Sequence, residues 1–191
     1  MIQKFEFKPT KIEGLIEITP FNADDIRGCF TKDYSKEVFE ANGIEHDLME
    51  VFYTTSYKGV IRALHFQRVK QQAKLVRCIH GHVYDVVVDL RKESPTFKQW
   101  IGFDLSGENQ KEILVPAGCG HGYLVLEESI VSYKCGEKFY GEYDDGIMWN
   151  DKDINVKWPL DKIGGESKMI IADKDKNLQT FEEFIRIYGG F

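Results

Sequence analysis

A mainly β chain, built as an antiparallel barrel or sandwich with a few short helices, is the fold class the sequence predicts. Three observations carry this. Short β-rich runs recur at roughly ten-residue spacing through the middle of the chain. Turn residues punctuate them at Ser94-Pro95, Gly107-Glu108-Asn109 and Pro116-Ala117-Gly118. Aromatic residues reach 13%, and such flat side chains suit a β-rich core or a cavity wall.

In chain order, residues 35–42 (SKEVFEAN) predict a short helix. Ser35 is its N-cap candidate, Val38 and Phe39 lie on one side, and Asn42-Gly43 stop it. Residues 59–67 (GVIRALHFQ), 74–80 (KLVRCIH) and 82–90 (HVYDVVVDL) predict strands, with Gly81 as a turn between the last two. Further strands are expected at 100–105, 111–115, 122–126 and 130–135. At the C-terminal end, Leu178, Phe181, Phe184, Ile185 and Tyr188 fall at helical spacing and predict a helix packed on the sheet. The tail beyond Arg186 carries no recognisable signal.

The length of 191 residues fits one domain over residues 1–191, or one domain with a small appendage. With 42% hydrophobic and 29% charged residues, the chain reads as soluble and globular. Its net charge of -6 argues against a nucleic-acid partner, which needs clustered positive charge. Cys29, Cys78, Cys119 and Cys135 form no CxxC pair, so reduced thiols in a cytoplasmic protein are expected rather than a zinc ribbon. No apolar run follows a basic start and none reaches 18 residues, so neither a leader nor a membrane span is expected.

Two histidines stand out. In residues 60–67, Arg62 and His65 interrupt an apolar strand. Being three apart, they belong on opposite faces unless the strand bulges, which small Ala63 permits. The plain alternative is an edge strand with solvated polar groups. His121 ends the run Pro116-Ala117-Gly118-Cys119-Gly120-His121, a P-x-G-x-x-H pattern that resembles the second signature of cupin barrels. The first signature places H-x-H six residues after a glycine; here Gly59 leads to His65-Phe66-Gln67, with an amide in place of one imidazole. Two imidazoles without a third ligand make a poor cage, so no metal is expected. Lys74, Tyr133, Asp175 and Arg27 read individually as a solvated lysine, a core aromatic and two surface-turn residues.

Taken together these residues resemble the dTDP-4-dehydrorhamnose 3,5-epimerase family, from about Leu15 to Asp175. The blocks that carry the likeness are VIRALHFQ (60–67), AKLVRCIHGHVYDVVVDLRKESPTF (73–97), GENQKEILVPAGCGHGY (107–123), SYK (132–134), GIMWND (146–151) and KWP (157–159). The resemblance implies a cupin-type (jelly-roll) antiparallel β-barrel or sandwich, a homodimer, a dTDP-linked nucleotide-sugar substrate, and no metal or cofactor. It implies His65 as general base, Asp175 as its orienting partner, Tyr133 as the acid on the opposite face of the sugar, and Lys74 and Arg62 as contacts of the sugar or its enolate. His121 with Asp85 is implied in the same cavity, and Arg27 and Gln67 as holders of nucleotide or sugar. The chemistry is coherent. A 4-keto group acidifies the hydrogens at C3 and C5, and a neutral imidazole accepts such a proton near pH 7. A cation stabilises the enolate oxygen, and inversion needs a second proton carrier on the other face.

The chain also departs from the family pattern. In the segment usually R-G-x-F-x-E, Arg27 and Phe30 are kept but Lys32 replaces a substrate-binding glutamate. Glu50 and Phe52 replace a glutamine and an asparagine, Ile61 and Ala63 stand in the usual LRGLH block, and Lys138 takes a position often held by a nucleotide-stacking tyrosine. These changes fall on the recognition side and spare the proton carriers, so a different nucleotide or sugar is expected with the same chemistry. Two other readings remain open at this point. One is a C3-only epimerase or ketoisomerase of another nucleotide sugar; the other is a non-catalytic cupin that binds one.

Overall fold

The computed structural model describes residues 4–191 and gathers most of its strands into a single sheet wrapped around an apolar interior. In chain order the strands are β1 (Glu6–Pro9), β2 (Ile16–Thr19), β3 (Phe21–Asp25), β4 (Gly28–Lys32), β5 (Glu50–Ser56), β6 (Val60–Gln67), β7 (Lys74–Asp89), β8 (Trp100–Ser106), β9 (Glu112–Val115), β10 (Cys119–Cys135), β11 (Asp144–Gly146) and β12 (Ile170–Ile171). The main path runs β1-β2-β9-β7-β10-β6-β11, with β5 on β10, β8 on β7 and β12 on β6. β3 and β4 form a separate two-stranded sheet.

β7 and β10 organise the rest, and here the sequence expectation is corrected. Gly81 is not a turn between two strands. β7 is one strand of 16 residues, antiparallel to one β10 of 17, with register shifts between Val125 and Val131. Gly81 lies at the bend with φ +75°, and a Cβ there would sit 2.0 Å from the Glu128 carbonyl oxygen, so glycine lets two long strands bend together where a side chain would part them. The bend divides each strand between two layers. The first part of β7 and the last part of β10 pair with β9 and β5; the other halves pair with β8 and β6.

Strand alternation then sorts the side chains. Val76, Val83, Val87, Phe103, Tyr123, Val131 and Tyr133 meet in the interior between the layers. Val86, Val88, Leu124 and Leu126 face outward and are covered by the C-terminal segment through Ile147, Trp158, Phe181 and Phe184. Leu75 and Leu114 face the other way, under Phe39 and Ile44.

The helices are short, as expected. α1 (Lys36–Ala41) has Ser35 at its N-cap position but no side-chain cap bond, so it rests on burial of Phe39, 1% exposed, which contributes roughly 2–3 kcal/mol. α2 (Asp173–Lys176) lies where a charged surface turn was expected. α3 (Phe181–Tyr188) begins later than the pattern from Leu178 suggests, because Thr180 and Glu183 form a reciprocal capping box and residue 179 bridges to Ile147 instead. The C-terminal tail has a place: Phe191 packs edge-on against Phe66 and Phe184, and its N–H donates to the Leu90 carbonyl.

The exit from β7 is braced by a fully buried carboxylate. Asp89 accepts from Arg91 Nε at 2.9 Å, from Ser94 Oγ at 2.6 Å and from Thr96 Oγ1 at 2.7 Å. Burial pushes this carboxyl up, but Arg91 and the two hydroxyls outweigh it and hold it down at about 2. A carboxyl depressed on folding stabilises above its unfolded value of about 3.9, and that contribution fades as pH falls toward the folded value. Asp89→Asn is therefore expected to cost about 2 kcal/mol in urea unfolding at neutral pH. The gap to the parent chain should shrink as the titration is taken down toward pH 2; a gap independent of pH contradicts this assignment.

Candidate active site

A cavity of about 540 Å³ opens between β5, β6, β7, β10 and the returning segment around α2, within the size range of small-molecule sites. β6 supplies Arg62, His65 and Gln67, β7 supplies Lys74, and β10 supplies His121 and Tyr133. β5 adds Phe52 and Thr54, and α2 adds Lys174 and Asp175.

Arg62 and His65 share this cavity because β6 is irregular where it meets β10. His65 lies opposite His121 and Arg62 opposite Tyr123, so three steps on one strand match two on the other. The extra residue rotates Arg62 back to the side of His65. Gly122 sits against the irregularity, and a Cβ there would lie 2.5 Å from the Ala63 Cβ. The small residue expected to permit a bulge is thus packed against a glycine that makes room for it.

Asp175 reaches His65 from far along the chain. β12 returns parallel to β6, with Ile171 beside Ile61, and α2 follows at once. Asp175 Oδ2 lies 3.1 Å from His65 Nε2, with the aspartate side chain 7% exposed and the imidazole side chain 24% exposed. When the proton sits on Nε2 and is donated to Asp175, Nδ1 keeps its lone pair. Arg62, exposed at the cavity, donates through Nε to Ser56 Oγ at 3.2 Å.

Tyr133 stacks on Phe52 at a ring separation of 4.8 Å and meets the His121 ring edge-on at 5.9 Å. Burial pushes its phenol well above the ordinary tyrosine value, and Tyr123 and Asp85 push the same way. The group stays protonated at neutral pH, as an acid must. Burial lowers the Lys74 ammonium below the usual lysine range, against the opposing pull of Cys135, Asp144 and Asp85. Asp85 is fully buried behind His121, whose Nε2 lies 2.9 and 3.0 Å from its two oxygens; burial raises this carboxyl while His121 and Lys74 draw it down.

Other residues singled out in the sequence lie outside the cavity or are engaged with the backbone at its wall. Arg27 and Phe30 are exposed on the β3–β4 hairpin, outside this chain's cavity, with Arg27 bound to Asp25; Lys32, on β4, also lies outside it. Gln67 lines the cavity but is only 3% exposed, and its amide is occupied by backbone: Nε2 donates to the carbonyls of Lys70 and Lys138, and Oε1 accepts from the Tyr140 N–H. At the rim it is Phe139, 54% exposed, that lines the cavity, while Lys138 contributes its carbonyl to Gln67. Glu50 accepts from the Phe139 N–H at 2.9 Å and so holds that turn.

The sequence reading missed Thr54, Phe139 and the Lys174–Asp144 ion pair at the cavity wall. Only Phe139 carried a local signal, as an aromatic beside the flagged Lys138. Among the described residues, no three His, Cys, Asp or Glu side chains converge to hold a metal ion.

A family model described as dTDP-4-dehydrorhamnose 3,5-epimerase matches residues 9–183. A protein of that name from Methanothermobacter thermautotrophicus is 44% identical over 181 residues, covering 94% of this chain and 96% of the relative. Among solved structures, the dTDP-6-deoxy-D-glucose-3,5-epimerase of Legionella pneumophila in complex with dTDP-4-keto-L-rhamnose superposes with a TM-score of 0.88 at 34% identity, covering 94% of each chain. ChmJ, a 3'-monoepimerase from Streptomyces bikiniensis in complex with dTDP-quinovose, superposes at 0.86 with 28% identity, covering 94% of this chain and 90% of that one.

Proposed function

The chain belongs to the dTDP-4-dehydrorhamnose 3,5-epimerase family, and from that premise we propose that it epimerises a dTDP-linked 4-keto-6-deoxy sugar with His65 as its base. The cupin-type fold and the isomerase class come with the family. The observation that carries the mechanism is the His65–Asp175 contact on the wall of a cavity that also contains Tyr133.

His65, held by Asp175, removes the proton from the carbon beside the ketone. Asp175 stabilises the imidazolium that forms. Arg62 and Lys74 face the enolate oxygen and offset its charge in a setting of low dielectric. Tyr133 returns a proton from the other side, which inverts the centre. Side chains alone carry this proton traffic. Phe52 and Phe139 offer flat apolar surface for the sugar or the base.

In this reading the partners are the nucleotide sugar and a second copy of the chain, which would cover exposed Val51 and Tyr53 on β5. All four cysteines are free, and no helix among the described residues is long and apolar enough to cross a membrane. We place the enzyme in the cytoplasm.

The test is incubation with dTDP-4-keto-6-deoxyglucose in deuterated water. The expected product carries solvent deuterium at both C3 and C5. Deuterium at C3 alone makes it a single-site epimerase, the reading the ChmJ likeness favours. Incorporation at neither carbon overturns the proposal for this substrate.

A further inference from the structure

Tyr133 is held from several directions. Its backbone lies between two partners in the sheet, pairing with Phe52 on β5 and with Val76 on β7. The Cα therefore cannot shift without disturbing two ladders. The ring alone keeps freedom, through its two side-chain torsions. Two other rings restrict it. His121 meets it edge-on at 5.9 Å, and His121 is itself held by both oxygens of the fully buried Asp85. Phe52, its direct cross-strand partner, lies against it at 4.8 Å with only 15° between the planes. Such cross-strand aromatic pairs attract beyond the area they bury. Phe52 stands where the family pattern has an asparagine, and the smaller amide would cover far less of a phenol ring. The neighbouring inward side chains of β5 are also turned to protein. Glu50 accepts from the Phe139 N–H at 2.9 Å, and Thr54 Oγ1 lies 2.8 Å from the Tyr123 phenol oxygen. Phe52 remains 41% exposed, so its ring adds little to the core, and its closest aromatic contact is the acid.

We propose that Phe52 is a positioning residue for the acid: its stacked ring, together with the His121 edge, aims the Tyr133 phenol at the carbon that receives the proton. This rests on Tyr133 being the acid and adds what directs it. Proton delivery to carbon needs the donor oxygen close and in line, and a misplacement of about 1 Å can cost roughly a hundredfold. Each event at a centre breaks one C–H bond and forms another; only the donor differs. If Tyr133 delivers, the centre inverts. If the His65 imidazolium returns its proton first, the sugar is exchanged but not inverted. The aim of the phenol therefore sets the share of deprotonated sugar that leaves inverted.

The test is the intact enzyme with dTDP-4-keto-6-deoxyglucose in deuterated water, scored as inverted product against labelled sugar that kept its configuration. Phe52→Leu keeps apolar bulk and loses the flat face. It is expected to lower the ratio of inversion to exchange by about tenfold, with total label incorporation within about threefold of the parent. Phe52→Tyr keeps the flat ring and should restore the ratio to within about twofold. In a Tyr133→Phe background, Phe52→Leu should lower the ratio no further, because the residue acts through the phenol.

An unchanged ratio in Phe52→Leu overturns the proposal, and a raised KM beside it makes Phe52 a surface for the ligand only. Exchange and inversion that fall together with the melting temperature mean lost packing, which also overturns it. So does a Phe52→Tyr variant that fails to restore the ratio, or a further loss in the Tyr133→Phe background. Failure of the underlying reading looks different: Tyr133→Phe alone would then keep the parent ratio.

Discussion

His65→Ala is expected to lower deuterium incorporation next to the ketone by roughly 10²–10⁴-fold while leaving affinity for dTDP nearly unchanged. The imidazole lines the cavity with a carboxylate fixed on its Nε2, 3.1 Å away, and is more exposed there than His121, whose ring is also held by a carboxylate. Removing it leaves the Asp175 carboxylate without the imidazole that it orients. Because the His65 side chain is partly exposed, truncation opens little core volume and the fold should survive. A melting temperature within a few degrees of the parent separates lost chemistry from lost structure. Exchange reduced by less than about tenfold would remove His65 from the role of base.

Tyr133→Phe is expected to separate two events that the parent enzyme couples. Its ring keeps the stack on Phe52 and the edge contact with His121, and only the hydroxyl is lost. His65 can still take a proton and return it to the same face, so hydrogen exchange continues. Delivery to the opposite face falls by roughly 10²-fold or more. Substrate recovered from deuterated water should therefore be labelled but not inverted. Equal loss of exchange and inversion would mean that the phenol helps to remove the proton, and the assignment of faces would have to be reversed.

These two residues also show where the sequence was legible. His65 stood out because a polar side chain interrupts an apolar strand, and strand geometry is local: alternation and a small neighbour were enough to raise the question of a bulge. Tyr133, taken alone, read as a core aromatic, and by burial it is one. Asp175 read as part of an exposed charged turn. Nothing within several residues of it indicates burial, since its surroundings come from β6, which lies far away in the chain. Resemblance to a family supplied its role before the fold could. The same limit applies in reverse to Gln67 and Lys138, which motif position assigned to ligand but whose amide and carbonyl are engaged with each other.

The amino-acid sequence by itself determined the β-rich class, the stretches that form β6 to β10, and two of the three short helices, α1 and α3. Period-two alternation and turn chemistry act between near neighbours, and no partner strand is needed to read them. Only the tertiary structure decided that Gly81 bends a strand rather than ending it, that Arg62 and His65 face one hollow, and that Asp175 reaches His65. Each of these depends on which strand lies alongside and in what register. Register is a property of pairs of segments, fixed when the two long strands meet, and no single segment contains it.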